Sequence, residues 1–188
     1  MVTVVIHGQQ IHCANLGDSR AVLASCRKNA QGLKPRETIV QTSQDTIWVA
    51  HPLSRDHKPD CEDERQRIEQ SGGRVQRYRD HDMKTGAVKY VGPARVYVKH
   101  DEYPGLAMSR SIGDLVAHSV GVSAEPELYT YTLDGDQGDN ILLLASDGLW
   151  EFISTEEALR IVLLFYLNGI DPSQACQELT REAVTRWR

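Results

Sequence analysis

Short runs of β-branched and apolar residues, separated by turn-forming residues, open the chain and set the strongest limit on its fold. Residues 2–6, 11–14 and 21–24 are such runs, and Gly8 and the Gly17-Asp18-Ser19 segment interrupt them. Runs of this composition are typical of strands, and glycine or aspartate between them is typical of tight turns. The first part of the chain therefore predicts an antiparallel meander of short strands.

The middle of the chain predicts an irregular connection, a further strand and a helix. Residues 28–44 are polar and contain glycine and proline, so we expect no regular element there before a strand at residues 46–50. Asp60, which precedes three acidic residues, is expected to cap a helix that ends at Gly72 and Gly73. Few apolar residues line this helix, which indicates a surface position.

Strands and then helices are predicted for the last third. Residues 129–133 alternate apolar with polar, as in a half-exposed strand, and residues 141–145 form a continuous apolar run, as in a buried strand. Ser154 and Glu157 form a capping box for a helix, and Asp171-Pro172 opens a second one. One face of the second helix carries Cys176, Leu179, Ala183 and Trp187. An α+β layered domain fits this order of elements.

Composition excludes several classes of protein. The 188 residues include 40% hydrophobic and 25% charged residues, which is typical of a globular domain with a core. A net charge of -5 argues against nucleic acid as a partner, and the longest apolar run is too short to cross a membrane. Four scattered cysteines without a Cys-x-x-Cys pair indicate an intracellular protein of the cytoplasm or nucleus.

One stretch of this acidic chain is locally basic. Residues 74–99 contain seven basic and two acidic residues. Such a stretch attracts anionic ligands, although charge alone is equally consistent with an ordinary solvated loop. The basic residues are Arg74, Arg77, Arg79, Lys84, Lys89, Arg95 and Lys99.

The Ser-Asp-Gly-Leu-Trp-Glu segment at residues 146–151 is the strongest local candidate for chemistry. Asp147 directly follows the apolar run, where an ionised carboxylate is costly to bury without a cation or donors. Gly148 is expected to allow the sharp turn that aims Asp147 away from the sheet, with Glu151 one helical turn further on. Two such carboxylates suit Mg²⁺ or Mn²⁺, although a simple turn or helix cap is the commoner role of Asp-Gly after a strand.

Two further segments are weaker candidates. Asp18 lies in a predicted tight turn, and on spacing alone a hairpin turn explains it. Ser109, Arg110 and Asp114 are candidate substrate-binding residues, because a guanidinium can bind phosphate with two hydrogen bonds; a buried structural pair between Arg110 and an aspartate is equally consistent with the sequence. The histidines show no i,i+4 pair, so we expect them on the surface or in strands; they are His7, His12, His51, His57, His81, His100 and His118.

Six segments in a fixed order give the chain a specific resemblance. Together they resemble the metal-dependent PP2C-type (PPM) protein serine/threonine phosphatases, and the residues of these segments are most similar to those of the plant and protist branch. The segments are Asn-Leu-Gly-Asp-Ser-Arg-Ala-Val (15–22), Leu-Ser-Arg-Asp-His-Lys-Pro-Asp (53–60), Glu64 to Gly73, Leu-Ala-Met-Ser-Arg-Ser-Ile-Gly-Asp (106–114), Glu-Pro-Glu (125–127) and Ser-Asp-Gly-Leu-Trp-Glu-Phe (146–152).

The resemblance implies a fold and a chemistry. The fold is a sandwich of two antiparallel sheets flanked by helices, and two metal ions bridge a water that attacks phosphoserine or phosphothreonine. By motif, Asp147 matches a ligand of the core metals, and Asp18 a ligand of a third, weaker metal. Glu151 stands where many relatives have aspartate. The basic stretch, within about residues 60–105, matches a flap beside the active site.

The resemblance also implies that the domain is incomplete. The family's Asp-Gly-His-Gly-Gly segment, its phosphate-binding arginine and its late Asp-Asn pair do not occur in their expected places; Asp139-Asn140 comes too early. We therefore expect the chain to be a partial phosphatase domain, inactive alone, with phosphoproteins as substrates of the full-length form. Unpaired sheet edges are expected to favour self-association. The alternative is a non-catalytic pseudophosphatase that binds or regulates a phosphoprotein.

Overall fold

The computed structural model describes residues 1–28, 33–43, 46–81, 86–133 and 140–187, which divide into two compact units. The first unit comprises Met1–Asn15, Ser19–Arg55 and Leu128–Arg188, and the second comprises Leu16–Asp18 and Asp56–Glu127. The predicted flap region, about residues 60–105, falls within the second unit.

The elements follow the predicted order of strands first and helices later. The strands are β1 (Val2–His7), β2 (Gln10–Asn15), β3 (Arg20–Arg27), β4 (Thr38–Ser43), β5 (Thr46–Pro52), β6 (Gly73–His81), β7 (Val88–Val98), β8 (Pro104–Leu106), β9 (Glu127–Thr132) and β10 (Asn140–Ala145). The helices are α1 (Glu62–Gln70), α2 (Leu115–His118), α3 (Asp147–Trp150), α4 (Thr155–Tyr166) and α5 (Pro172–Trp187).

Two sheets form the first unit. One has the strand order β1-β2-β9, and the other has the order β10-β3-β5-β4 with antiparallel pairing throughout. The predicted meander is therefore wrong for β3, since β2 and β3 belong to different sheets and residues 16–19 link the sheets rather than close a hairpin. Alternation along the sequence indicates where strands lie, but it does not identify the partner of each strand.

Strand β3 separates two hydrophobic clusters because its alternate side chains point to opposite faces. Ala21 and Leu23 pack with Ile11, Cys13 and Tyr131 of the other sheet. Leu53, which directly follows β5, belongs to the same cluster. Val22 and Ala24 pack with Trp48 and with the buried faces of α4 and α5. The first unit is thus two antiparallel sheets with helices on one side, which confirms the predicted α+β class.

Two predictions about strands were wrong. The polar stretch at residues 28–44 contains a strand, β4, whose Val40 is buried and which pairs with β5. The run at residues 141–145 lies in β10, the edge strand of its sheet among the described residues, and Leu144 is 44% exposed. An apolar run of this length indicates a strand but not its place in the sheet.

The two C-terminal helices begin where the sequence indicates. The amide of Glu157 donates to Ser154 Oγ at 3.3 Å, and the amide of Ser154 donates to Glu157 Oε2 at 2.9 Å, which confirms the predicted capping box. On α5, Leu179 and Ala183 are buried as expected. Cys176 and Trp187 are exposed, so only the middle of the predicted face packs into the core.

The second unit contains α1, α2 and the sheet β6-β7-β8. Helix α1 begins after Cys61 rather than Asp60, and no side chain caps it. It lies at the surface as expected, since five of its nine residues are exposed, but it also buries Glu64 and Ile68 completely. Strands β6 and β7 pair from Gly73 with Val98 to His81 with Val88, so the described part of the basic stretch is a long pair of antiparallel strands and not a solvated loop. Lys84 lies outside the described residues. None of the helices in the described ranges is long and apolar enough to span a bilayer.

Candidate active site

Asp147 begins the short helix α3, which follows edge strand β10, and Glu151 is the C-cap residue of this helix. Asp147 is the first helical residue, and the amide of Glu151 donates to the Asp147 carbonyl at 2.9 Å. Residues four apart on a helix are neighbours on its surface, so the two carboxylates can approach one cation. Both residues are exposed. The expectation that Asp147 is costly because it is buried was therefore wrong, although its place at the strand end was right.

Trp150 anchors α3 to the sheet, although the predictions from the sequence did not include it. Its indole nitrogen donates to the carbonyl oxygens of Ala145 at 3.0 Å and Arg20 at 3.2 Å. The guanidinium of Arg20 lies 5.1 Å from the centre of the indole ring. The tryptophan itself was the available signal, since a large ring with one donor usually finds a hydrogen-bond acceptor when it is buried.

Gly148 does not have the role that we expected. It lies within α3 without a positive φ, and a Cβ there would meet Ser146 Oγ at 3.4 Å, which is an ordinary contact. The direction of Asp147 therefore comes from the helix and from the Trp150 anchor, not from a conformation that only glycine adopts.

Asp18 lies in the second unit, in the link between β2 and β3. It is 7% exposed, and the Lys58 ammonium donates to its Oδ2 at 2.5 Å. The preceding Gly17 has a φ of 102°, a value that favours glycine. The hairpin alternative is excluded, because this turn joins two sheets. Lys58 is a partner that the sequence analysis missed, although it lies in one of the six family-like segments.

His57 holds this turn in place and is neither a surface nor a strand residue, contrary to our expectation. The Gly17 amide donates to His57 Nδ1 at 3.0 Å, and the His57 amide donates to the Gly17 carbonyl at 3.0 Å. The Ser109 amide donates to the His57 carbonyl at 2.9 Å. Burial, with a further contribution from the charge of Arg110, lowers the pKa of His57, so the ring is neutral and Nδ1 can accept the hydrogen bond.

Arg110 makes the contacts of a structural ion pair. Its Nη2 lies 2.6 Å from Glu64 Oε1 and 3.4 Å from Glu127 Oε1, and Nη1 donates to the Glu125 carbonyl at 3.0 Å. These contacts favour the structural alternative, with Glu64 and Glu127 as partners in place of an aspartate. Ser109 is fully buried, and Asp114 is exposed with a φ of 41°.

Glu64 is the centre of this ion-pair cluster. Its Oε1 and Oε2 accept hydrogen bonds from Arg67 at 3.0 and 2.7 Å, in addition to those from Arg110. Burial alone raises the pKa of a carboxyl group, but the hydrogen bonds from Arg67 and Arg110 outweigh burial and hold the pKa of Glu64 well below its usual range. Glu64 is therefore ionised although it is fully buried.

The described residues do not by themselves complete a metal site. Within the five described ranges, no three histidine, cysteine, aspartate or glutamate side chains converge as a metal-binding group. Asp147 and Glu151 fit the oxygen chemistry of Mg²⁺ or Mn²⁺, which prefer carboxylates. The metal-binding roles of Asp147, Asp18 and Glu151 stay predictions.

Comparisons with known proteins agree with the resemblance of the motifs. The sequence model of the family "Protein phosphatase 2C" matches residues 1–187. The chain is 33% identical to probable protein phosphatase 2C 61 of Arabidopsis thaliana over 99% of its own length and 48% of that protein. It is 35% identical to probable protein phosphatase 2C 73 of Oryza sativa subsp. japonica, over 100% of this chain and 37% of that one.

A solved structure shares the fold. The serine-threonine phosphatase 2C from Toxoplasma gondii superposes with a TM-score of 0.70 at 22% identity, over 100% of this chain and 53% of that chain. The chain thus spans about half the length of these relatives or less. Since the family model matches almost every residue, the chain belongs to the protein phosphatase 2C family.

Proposed function

We propose that this chain is part of a Mg²⁺- or Mn²⁺-dependent protein phosphatase that hydrolyses phosphoserine and phosphothreonine in proteins. The observation that carries the proposal is the family match over residues 1–187. The proposed substrates are phosphoproteins, and the full-length form is the active species. Because the chain covers no more than about half of its relatives, we propose that it has little or no activity alone.

Asp147 and Glu151 are the proposed metal ligands of the first unit. Helix α3 presents both carboxylates to solvent, and the two hydrogen bonds of Trp150 fix the helix against β10 and β3. A bound divalent cation would supply the Lewis acid that activates water for attack on phosphorus. Two carboxylates alone hold such a cation weakly, because Mg²⁺ and Mn²⁺ are normally held by six oxygen ligands.

Asp18 is the proposed ligand of a weaker metal in the second unit. Its Oδ2 already accepts a hydrogen bond from Lys58, so a cation must displace or share this contact. Lys58 also balances the charge of a carboxylate that is almost buried. Ser109, Arg110 and Asp114 stay predicted substrate-binding residues, and the contacts of Arg110 favour an indirect role in which it positions Glu64 and Glu127.

The activity test compares the 188-residue chain with an intact relative on a phosphothreonine peptide in the presence of Mn²⁺. We expect no turnover by the chain above that of a metal-free control, because the ligand set of the described residues is incomplete. Turnover comparable to that of the intact relative would contradict the proposal that the chain is inactive alone.

The metal-binding role of Asp147 is tested by Mn²⁺ titration, followed by the electron paramagnetic resonance signal of free Mn²⁺. We expect Asp147→Asn to remove the weak binding of the wild-type chain, since it removes one of two charged ligands. Asp101→Asn is the matched control, because Asp101 is an exposed aspartate outside the candidate site. Equal loss of binding in the two variants would assign the binding to general surface charge.

The second candidate function is that of a non-catalytic module that binds or regulates a phosphoprotein. It is favoured by the absence of a converging group of three metal ligands in the part of the chain that the structure describes. Sequencing the transcript on both sides of this region distinguishes the candidates. An upstream Asp-Gly-His-Gly-Gly segment would favour the enzyme, and its replacement by other residues would favour the binding module.

A further inference from the structure

The second unit contains a cavity whose residues have no part in the proposed metal site. It has a volume of about 420 Å³ and lies against strands β6 and β7 and the segment that includes β8. Three basic side chains and two tyrosine rings line it, together with a single carboxylate. These residues are Tyr78, Arg79, His81, Arg95, Tyr97 and Glu102.

An irregularity in the pairing of β6 with β7 shapes this cavity. Arg77 pairs with Ala94 but the next residue, Tyr78, pairs with Val91, so Gly92 and Pro93 are extra residues on β7. A bulge of this kind bends a strand and redirects its side chains. Gly92 has a φ of 71°, in the region that favours glycine. The bulge thus changes the direction of the side chains next to it, and Tyr78 and Arg79, which directly follow the shift, line the cavity.

Arg95 and Tyr97 form the fixed wall of the cavity. Arg95 Nη1 donates to the Gly105 carbonyl at 2.7 Å, which holds the guanidinium on the segment around β8. Tyr97 is 3% exposed, and the Arg74 guanidinium lies 4.9 Å from its ring centre. Arg79 and Tyr78 are exposed and complete the opening. The guanidinium of Arg95 is therefore placed before any ligand binds.

The cavity carries positive charge that its own acid does not balance. Glu102 Oε1 is 3.4 Å from Arg74 Nη2, so its charge is shared with a cation that does not line the cavity. Across the described ranges, no carboxylate lies within 4.0 Å of the guanidinium of Arg79 or Arg95. Guanidinium groups without a carboxylate partner bind oxyanions well, because their donors match two oxygen atoms at once.

We propose that this cavity binds a phosphoryl group carried by a peptide, through residues other than the proposed metal ligands. A phosphoryl group offers three acceptor oxygens and about two negative charges. It therefore suits two guanidinium groups and an imidazole better than a carboxylate group would. The exposed ring of Tyr78 adds contact area for the flanking peptide. A phosphoprotein as the source of the group rests on the proposed function, whereas the anion site rests on the β6-β7 pair alone.

The test is the binding of a fluorescein-labelled phosphothreonine peptide to the full 188-residue chain, measured by fluorescence anisotropy in EDTA. We expect Arg79→Gln to weaken binding about tenfold or more, as for the loss of a charge-assisted hydrogen bond. Arg77→Gln is the matched control, since Arg77 is an exposed arginine on the same strand that does not line the cavity. We expect it to change affinity less than twofold. Arg79→Lys should restore part of the affinity.

Three further arms decide the source of the anion. The unphosphorylated peptide is expected to bind at least tenfold more weakly. The same peptide with glutamate in place of phosphothreonine is also expected to bind more weakly, and equal binding would overturn the phosphoryl group as the ligand. Inorganic phosphate is expected to compete only at concentrations well above the peptide dissociation constant. Equal affinities for phosphate and peptide would overturn the peptide as its carrier.

Equal weakening by Arg77→Gln and Arg79→Gln would overturn the cavity itself and assign binding to the general charge of the β6-β7 pair. The EDTA keeps this result independent of catalysis. A complete protein that lacks Mn²⁺-dependent turnover would contradict the proposed function, and the effect of Arg79→Gln would still support the anion site.

Discussion

At the scale of single residues, Glu64 is the most consequential side chain of the second unit. It is fully buried, and Arg67 and Arg110 together donate to both of its oxygens. Removing one member of a buried ion pair leaves the other charges without compensation, which is strongly destabilising. The backbone carbonyls of Ser109 and Gly121 also accept from Arg67, so Glu64 fixes the position of several segments at once.

We expect Glu64→Gln to lower the free energy of unfolding by about 3 kcal/mol at pH 7. The pKa of Glu64 is lowered in the folded state, so its ionisation stabilises the fold at every pH above its unfolded pKa of about 4.3. This contribution is lost as the pH falls below that value. Urea denaturation between pH 7 and pH 3 measures it, and the wild-type stability should fall more steeply below about pH 4.5 than that of the variant.

Glu69→Gln is the matched control for this prediction, because Glu69 is an exposed glutamate on the same helix. It should change the stability by less than about 0.5 kcal/mol. Parallel pH curves for the wild type and Glu64→Gln would show that the buried carboxylate is not the source of the pH dependence.

The candidate carboxylates could be predicted from the sequence, but their partners could not. Asp147 and Glu151 follow a recognisable strand end, and Asp18 lies among turn residues. Lys58 is 40 positions from Asp18, and Arg110 is 46 positions from Glu64. Such pairs depend on contacts between distant segments, and these contacts cannot be inferred from the local sequence around each residue.

At the scale of elements, the start of α4 shows how a local motif is reliable. The capping box lies within four consecutive residues, so no distant packing is needed to form it. Hydrogen bonds from the amide and hydroxyl of Ser154, with that of Arg186, lower the pKa of Glu157 to about 2. The predicted start of this helix was therefore right, whereas the start of α1, which has no side-chain cap, was missed by one residue.

We expect Ser154→Ala to lower the free energy of unfolding by about 1 kcal/mol, because it removes the acceptor for the Glu157 amide. The pKa of Glu157 should rise in the same variant, and an NMR titration of its carboxyl carbon measures this change. Ser43→Ala, at the exposed end of β4, is the control. An unchanged pKa of Glu157 in Ser154→Ala would show that the capping box does not persist in solution.

The strands show what element prediction lacks. The runs at residues 2–6, 11–14 and 21–24 all became strands, since β-branched residues favour that conformation. The assignment of β3 to a second sheet and the edge position of β10 were not predictable, because both depend on pairing between segments far apart in sequence. Strand β4 was missed because its Val40 is its single buried residue.

At the scale of the whole molecule, the order of the six segments predicted the family better than any single motif did. Three of the segments had simpler structural explanations, and the contacts of Arg110 favour one of them. The fold class followed from the order of strands and helices. The division into two units did not, because the long pairing of β6 with β7 was not predicted.

Edge strand β10 provides a prediction about assembly. Beside it lies a groove of about 850 Å³, lined by Leu142, Leu144, Leu179, Ala183 and Trp187 among other residues. An exposed apolar edge strand is a template for pairing with another chain. We expect the purified chain to elute above its monomer mass in size-exclusion chromatography with light scattering, and Leu144→Lys to shift it toward the monomer.

Leu115→Lys is the control for that experiment, since Leu115 is 83% exposed on α2 and lies on no sheet edge. A wild-type chain that stays monomeric at all concentrations would contradict the expected self-association. Equal effects of the two lysine variants would indicate that added charge, and not the β10 edge, limits association.

The positions of the tryptophans give the two units separate optical signals. Trp48 and Trp150 are buried, Trp187 is 75% exposed, and all three belong to the first unit. The second unit contains tyrosines but no tryptophan. Indole emission excited at long wavelength therefore reports the unfolding of the first unit and does not report that of the second. Circular dichroism reports the unfolding of both units. If its denaturation curve differs from the emission curve, the second unit unfolds independently of the first.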